Sequence, residues 1–242
     1  MTQGTLYGIG IGPGDPDLIT LRGSRLLSGC SHLLVPKARD SADSLALSII
    51  SKHLNPNAEI HEAVFPMTSD QDEIDRRWLD AALYVAEILE RGDDVCYPTL
   101  GDAYFYSTYI YLVRTLRNIL PGVRIVTVPG VTAFSAVAAL TGFPVGEGKR
   151  SVTVIPAADD LSELERVLRK CGTVIIMKIG ARLEAVLDLI EKYNAMDGGV
   201  FVSHAGMPNE KIETDLRKLR GGDARAGYLS IIMIHSNGKE GE

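Results

Sequence analysis

Short β-branched runs alternate with longer amphipathic runs through the first two-thirds of the chain, the pattern left by parallel strands joined through crossover helices. Residues 5–11 predict a strand and 16–27 a helix. Asp15 marks the start of that helix as a cap, with Pro16 suited to its first turn and Asp17 to the positive end of its dipole. A strand at 32–35, a helix at 43–53 and a strand at 59–65 follow. Over 70–91, Trp78, Ala82, Val85 and Leu89 recur at three-to-four spacing and give a long helix with one apolar face. Next come a strand at 94–97, a helix at 104–120 stopped by Pro121-Gly122, and a strand at 124–128. That strand runs into the breaker Pro129-Gly130 and a small-residue helix at 132–141.

Beyond the breaker the pattern changes. Strands at 151–155, 173–178 and 200–203 alternate with two helices, one with the apolar face Leu161, Leu164 and Leu168, the other with Leu183, Val186, Leu187 and Ile190. Residues 210–216 and 228–235 read as two more strands closing a mixed sheet, and 237–242 as a frayed tail. The expected fold class is α/β: two α/β domains, at 1–128 and 129–242, on mainly parallel or mixed sheets. No internal repeat or low-complexity segment interrupts them.

At 242 residues the chain can bury its cores without a metal or disulfide staple. Hydrophobic residues at 45% and charged residues at 23% exclude a disordered chain. Cys30, Cys96 and Cys171 are an odd number, far apart and in or beside apolar segments, so neither a disulfide framework nor a metal pair is expected, and a reducing compartment is. No apolar run is long enough to span a bilayer, and Met1-Thr2-Gln3-Gly4 opens no signal peptide; the expectation is a cytoplasmic protein with no membrane partner. A net charge of −6 without a Lys/Arg stripe argues against a nucleic-acid partner.

Three turns carry the candidate chemistry. Gly10-Ile11-Gly12-Pro13-Gly14-Asp15 follows a strand and opens a helix, where glycines allow close backbone approach and free amides face an anion. Its spacing misses the dinucleotide fingerprint, because Asp15 stands where the third glycine belongs; a tight structural turn is the alternative. Leu100-Gly101-Asp102-Ala103-Tyr104-Phe105-Tyr106 lies at a strand's carboxyl end, where open α/β sheets bind ligands, although Tyr104, Phe105 and Tyr109 also fit an ordinary helix core. Pro129-Gly130-Val131-Thr132-Ala133 is a third such turn, able either to admit a flat ring or to pack a helix closely. Lys178, at the end of the apolar run Val174-Ile175-Ile176-Met177, is the most unusual charge and reads as functional or as simply solvated. The histidines His32, His53, His61, His204 and His235 lack ligand spacing, so no metal is expected.

Taken together and in order, these turns resemble the tetrapyrrole methylases, S-adenosylmethionine-dependent enzymes that methylate precorrins and uroporphyrinogen. The match runs over essentially the whole chain and includes the late run Tyr228-Leu229-Ser230-Ile231-Ile232. One departure is Ala103, where the family usually has proline. Within the family, the opening Gly4-Thr5-Leu6-Tyr7-Gly8-Ile9-Gly10, the segment Phe65-Pro66-Met67-Thr68 and the run Tyr106-Ser107-Thr108-Tyr109-Ile110-Tyr111 are similar to members acting on carbon 20 of precorrin-2 or cobalt-precorrin-2.

The resemblance implies a homodimeric C-methyltransferase of corrin biosynthesis with its active site in the cleft between the domains. S-adenosylmethionine, leaving as S-adenosylhomocysteine, would contact Pro13, Leu100, Gly101, Asp102, Phe105, Thr132, Ala133, Met177, Ala205, Gly206 and Leu229. Gly12, Pro13, Gly14 and Asp15 would line the trough for the tetrapyrrole. A sulfonium methyl is already activated, so alignment and exclusion of water are the main needs, with Asp102, Lys178 and Tyr228 expected to supply polar control. Lys37, Arg39, Lys149 and Arg150, near predicted strand ends, are the candidates for the substrate carboxylates. Competing readings are another precorrin or uroporphyrinogen methylase, a relative acting on RNA or a modified histidine, a nicotinamide-dependent dehydrogenase, and a cofactor-binding regulator without chemistry.

Overall fold

The computed structural model describes residues 3–37, 44–65, 70–221 and 227–238, and divides into two compact units, Met1–Thr132 and Ala133–Glu242. In the first, β1 (Thr5–Gly10), β2 (His32–Lys37), β3 (Glu59–Val64), β4 (Val95–Thr99) and β5 (Arg124–Val128) form one sheet in the order β3-β2-β4-β1-β5. Every neighbouring pair is parallel. The crossovers are α1 (Leu21–Gly29), α2 (Leu45–Ile50), α3 (Gln71–Glu90) and α4 (Tyr109–Ile119). Alternate residues of one strand feed opposite cores: Leu33 and Val35 pack with Leu27, Ile49 and Ile50, whereas Leu34 packs with Trp78, Val85, Leu89 and Leu112. Thus α1 and α2 cover one face, α3 and α4 the other. The winding reverses between β1 and β4, and their carboxyl ends form a topological switch point.

The second unit holds α5 (Ala133–Thr141), β6 (Val152–Pro156), α6 (Ser162–Leu168), β7 (Cys171–Met177), α7 (Leu183–Lys192), β8 (Val200–Ser203), β9 (Lys211–Glu213) and β10 (Ser230–Asn237). The sheet order is β6-β7-β10-β8-β9. It is mixed, with β6 and β7 parallel and β10 antiparallel to both β7 and β8. On one face Leu164, Leu168, Val186, Leu187 and Ile190 meet Ile176, Ile232 and Ile234. On the other, Val137 of α5 packs with Ile175, Val202 and Met233.

Several element boundaries differ from the periodicity, each for a local reason. Asp15 caps only a 3-10 turn, Pro16–Leu18, by accepting from Asp17 N. The α-helix starts afresh at Leu21 because Thr20 offers its own hydroxyl to Gly23 N. Ser44 likewise caps the short α2, which passes into a 3-10 turn at Ser51–His53; residue 43 lies outside the described residues. Helix α4 begins at Tyr109 rather than 104, since Ser107 Oγ accepts from Tyr109 N at 3.1 Å and Tyr106 takes a left-handed φ of 52°. Strand β9 stops at Glu213, where Asp215 caps a turn that buries Leu216. Leu229, at φ 47°, cannot continue a strand, so β10 starts one residue later and runs through Asn237, the first residue of the expected tail.

Candidate functional site

The three glycine turns follow β4, β1 and β5, which are neighbours in the first sheet, so all three meet at its carboxyl edge. Gly101 N donates to Gly12 O at 2.8 Å and Gly12 N to Gly101 O at 3.3 Å, an isolated antiparallel bridge between the first two turns. The third is pressed against them. A Cβ on Gly130 would collide with Gly101 O and stand 2.6 Å from Gly10 C, and one on Gly10 would stand 2.5 Å from Gly130 N. These obstacles are backbone atoms and cannot swing aside, so the contact requires glycine. Residues 129–132, which the breaker assigns to the second half, lie in the first unit, where Gly130 touches Gly10 and Gly101.

Asp102 completes the clasp. Its Oδ1 accepts from Tyr104 N at 2.9 Å and its Oδ2 from Gly130 N at 3.0 Å, which ties the β4 turn to the β5 turn. Both oxygens of this expected polar control group are therefore engaged by backbone amides. In the same segment Thr99 Oγ1 and Ser107 Oγ lie 2.8 Å apart, and Ala103 is fully buried.

The aromatic residues of this segment divide between core and edge. Tyr109 is fully buried, lies where any Cβ on Gly8 would be, and bonds Thr127 Oγ1 at 2.9 Å; burial pushes its phenol pKa up to about 12. Tyr104 and Tyr106 are exposed, and Leu100 and Phe105 are half-buried. In the first turn Gly12, Pro13 and Gly14 are buried and Asp15 is half-buried. Lys37 ends β2 on the same edge, paired with Glu62 at 3.0 Å. Arg39, Pro66, Met67 and Thr68 lie outside the described residues.

In the second unit the other candidates gather at one edge of the sheet, the ends of β7 and β8 and the start of β10. Met177 pairs with Ile231, Ser203 with Ser230, and His204 N donates to Leu229 O at 3.0 Å. Gly180 N donates to Gly227 O at 2.9 Å, so close that a Cβ on Gly227 would stand 2.8 Å from Gly180 C. Met177, Lys178, Ala205, Gly206, Tyr228 and Leu229 are thereby brought together. Lys178 is exposed, Tyr228 is 50% and Leu229 38% exposed, and Gly206 N donates to Glu210 Oε2 at 2.6 Å.

Backbone strain concentrates at this edge. Lys178, His204 and Leu229 have φ of 54°, 54° and 47°, a region that costs an L-residue about 1–2 kcal/mol. Such outliers persist where the surrounding structure imposes them, commonly at binding sites. His204, which the sequence groups with the histidines lacking ligand spacing, is half-buried with its ring 6.0 Å from that of Tyr228; its only signal in the sequence is its place directly after an apolar strand.

Lys149 and Arg150 do not join this group. They precede β6, at the opposite edge of the sheet from the end of β7. Arg150 instead acts on His235, far along β10, whose pKa is lowered first by burial and then by that guanidinium. Among the described residues no group of three or more His, Cys, Asp or Glu is placed to hold a metal ion, and no helix is long and apolar enough to cross a membrane.

Comparison with known proteins adds a family. A family model described as tetrapyrrole (corrin/porphyrin) methylases matches residues 5–220. The chain is 32% identical over 233 residues to the cobalt-precorrin-2 C(20)-methyltransferase of Salmonella typhimurium, covering 96% of this chain and 97% of that protein. It is 29% identical to a probable cobalt-precorrin-2 C(20)-methyltransferase of Methanocaldococcus jannaschii, covering 95% of each. Among solved structures, the cobalt-precorrin-4 methyltransferase CbiF superposes with a TM-score of 0.72 at 26% identity, over 96% of this chain and 94% of that one.

Proposed function

The chain belongs to the tetrapyrrole (corrin/porphyrin) methylases, and from that premise we propose that it transfers the methyl group of S-adenosylmethionine to carbon 20 of precorrin-2 or cobalt-precorrin-2 in corrin biosynthesis. The observation that carries this reading is the end-to-end likeness to the Salmonella enzyme. The clasped glycine turns support it by their place, at the switch point of an open α/β sheet, where such sheets bind ligands.

S-adenosylmethionine supplies an electrophilic methyl on a positively charged sulfur. What remains for the chain is to orient the two reactants and exclude water, which calls for no triad and no metal. Leu100, Gly101, Phe105 and Thr132 of the first unit, and Ala133, Met177, Ala205, Gly206 and Leu229 of the second, are the proposed cofactor contacts. Pro13 is proposed to touch both cofactor and macrocycle, with Gly12, Gly14 and Asp15 beside it. Asp102 is assigned to holding the turns in register, since its oxygens already bind Tyr104 N and Gly130 N. Lys178 and Tyr228, exposed at the second sheet's edge, are proposed to control charge and the ring proton. Lys37 is the proposed partner for a substrate carboxylate; its present partner, Glu62, is an ion pair that a carboxylate can replace.

Incubation with isotopically labelled S-adenosylmethionine and either precorrin-2 or its cobalt complex, followed by NMR of the product, tests the proposal. Label at carbon 20 is expected; label at another ring carbon, or transfer to uroporphyrinogen alone, overturns it. A cytoplasmic homodimer belongs to the same proposal and is supported by the family resemblance, with light scattering of the purified protein as its check.

A further inference from the structure

At the amino-terminal edge of the first sheet, opposite the glycine turns, two cysteines distant in sequence share one site. Cys30 follows α1 in extended conformation, and Cys96 is the second residue of β4. The pairing of His32 with Val95 and Leu33 with Cys96 draws the two chain segments together. Cys30 Sγ lies 3.2 Å from the His32 carbonyl oxygen and 3.5 Å from that of Asp94, two residues before Cys96. Cys96 Sγ lies 3.8 Å from the carbonyl oxygen of Leu26, in the helix that Cys30 follows. Each sulfur thus rests against a carbonyl of the segment that carries or adjoins the other cysteine, which places the two side by side in one core.

Both cysteines are buried, yet both line a cavity of about 380 Å³ together with Tyr7, Arg25, Asp93 and Asp94. A water occupies about 30 Å³ of liquid, so a small polar molecule has room in this cavity, and Cys30, 5% exposed against 0% for Cys96, is the thiol it reaches first. None of the proposed methyl-transfer residues lies here.

We propose that Cys30 and Cys96 form a two-thiol oxidation site that closes to an intramolecular disulfide when a hydroperoxide enters this cavity. The thiols are unequal partners. The neighbouring Cys96 thiol lowers the pKa of Cys30, whereas the same neighbour together with burial raises that of Cys96. Cys30 thiolate attacks the peroxide: the O–O bond breaks, an S–O bond forms to give a sulfenic acid, and the departing oxygen leaves as water after taking a proton. Cys96 sulfur then attacks the sulfenic sulfur; the S–S bond forms, the S–O bond breaks, and a second water leaves with the Cys96 proton. One hydrogen peroxide and two thiols give one disulfide and two waters, the thiols losing two electrons to the peroxide.

The test uses the full chain carrying Cys171→Ser, which removes the exposed third thiol and alters neither buried one. After hydrogen peroxide treatment, denaturation and alkylation, the expected results are loss of both thiols, a mass lower by two hydrogens, recovery with dithiothreitol, and a peptide pair linking residues 30 and 96. Further substitution Cys96→Ser should abolish the linked pair and leave Cys30 as sulfenic or more highly oxidised acid. Two thiols still open to alkylation, oxygen addition without hydrogen loss, or disulfide-linked dimers of the Cys171→Ser chain would each overturn the proposal. None of these readouts depends on methyl transfer, so the proposal stands or falls apart from the proposed activity.

Discussion

The two units build their candidate edges with different emphasis. In the first, Gly10, Gly101 and Gly130 meet backbone to backbone, and the contact exists because side chains are absent. In the second, Lys178, His204 and Leu229 keep their side chains in left-handed backbone that a glycine would occupy at lower cost. The contrast is one of degree: the second edge has its own glycine contact, Gly227 on Gly180, and the first has one left-handed side chain, Tyr106. Close backbone approach dominates the first edge, and strained side-chain-bearing backbone the second.

Gly130→Ala should break the first edge most severely. Its Cβ meets backbone on two sides, and forced overpacking of that kind costs about 3 kcal/mol. Gly29→Ala, in α1 with open space around it, is the contrast and should be neutral or stabilising by up to about 1 kcal/mol. Urea unfolding of both variants measures the difference, and similar midpoints would dismiss the clasp as the reason for glycine.

Asp102→Ala leaves Gly130 N and Tyr104 N without their acceptor, a loss of about 1 kcal/mol because water can reach Tyr104 N and partly Gly130 N. Affinity for S-adenosylhomocysteine, measured by calorimetry, should fall with it, and Asp102→Asn should retain part of both. Full affinity with abolished turnover in Asp102→Asn would make the residue a proton acceptor instead of a clasp.

At the second edge, Leu229→Gly should gain about 1 kcal/mol of stability from released strain while lowering turnover. Equal turnover in the two proteins would leave the left-handed backbone there without a functional reading.

The smallest effect concerns the far end of the second sheet. His235 has its pKa lowered from 6.5 by burial and by Arg150, so the unfolded chain takes up its proton at higher pH than the folded one. Stability from this group is complete above about pH 6.5 and declines as pH falls from there toward the folded pKa. His235→Gln should flatten the fall in melting temperature below pH 6.5, whereas Gly130→Ala should leave the shape of that fall unaltered.

Much of this was legible because it is written in local periodicity. The spacing of Trp78, Ala82, Val85 and Leu89 gave α3, and that of Leu183, Val186, Leu187 and Ile190 gave α7, since an amphipathic face needs no distant partner to declare itself. Polar competition at chain ends was not legible: Thr20 and Ser107 redirect helix starts through single hydroxyls that composition does not distinguish. Of the basic residues chosen for the substrate, Lys37 reaches the site edge, whereas Lys149 and Arg150 stand at the start of their strand instead of its end. Proximity to a strand in sequence does not say which end of the sheet is near.

The sequence by itself determined the α/β alternation, the glycines at the ends of β1, β4 and β5, and the residue types that mark the family, because each is a property of a few consecutive positions. Only the tertiary structure decided that those glycines touch, that both Asp102 oxygens bind backbone amides, that strain gathers at Lys178, His204 and Leu229, and that Cys30 meets Cys96. Each of those depends on strand order and register, which bring distant segments together and which no short stretch of chain encodes.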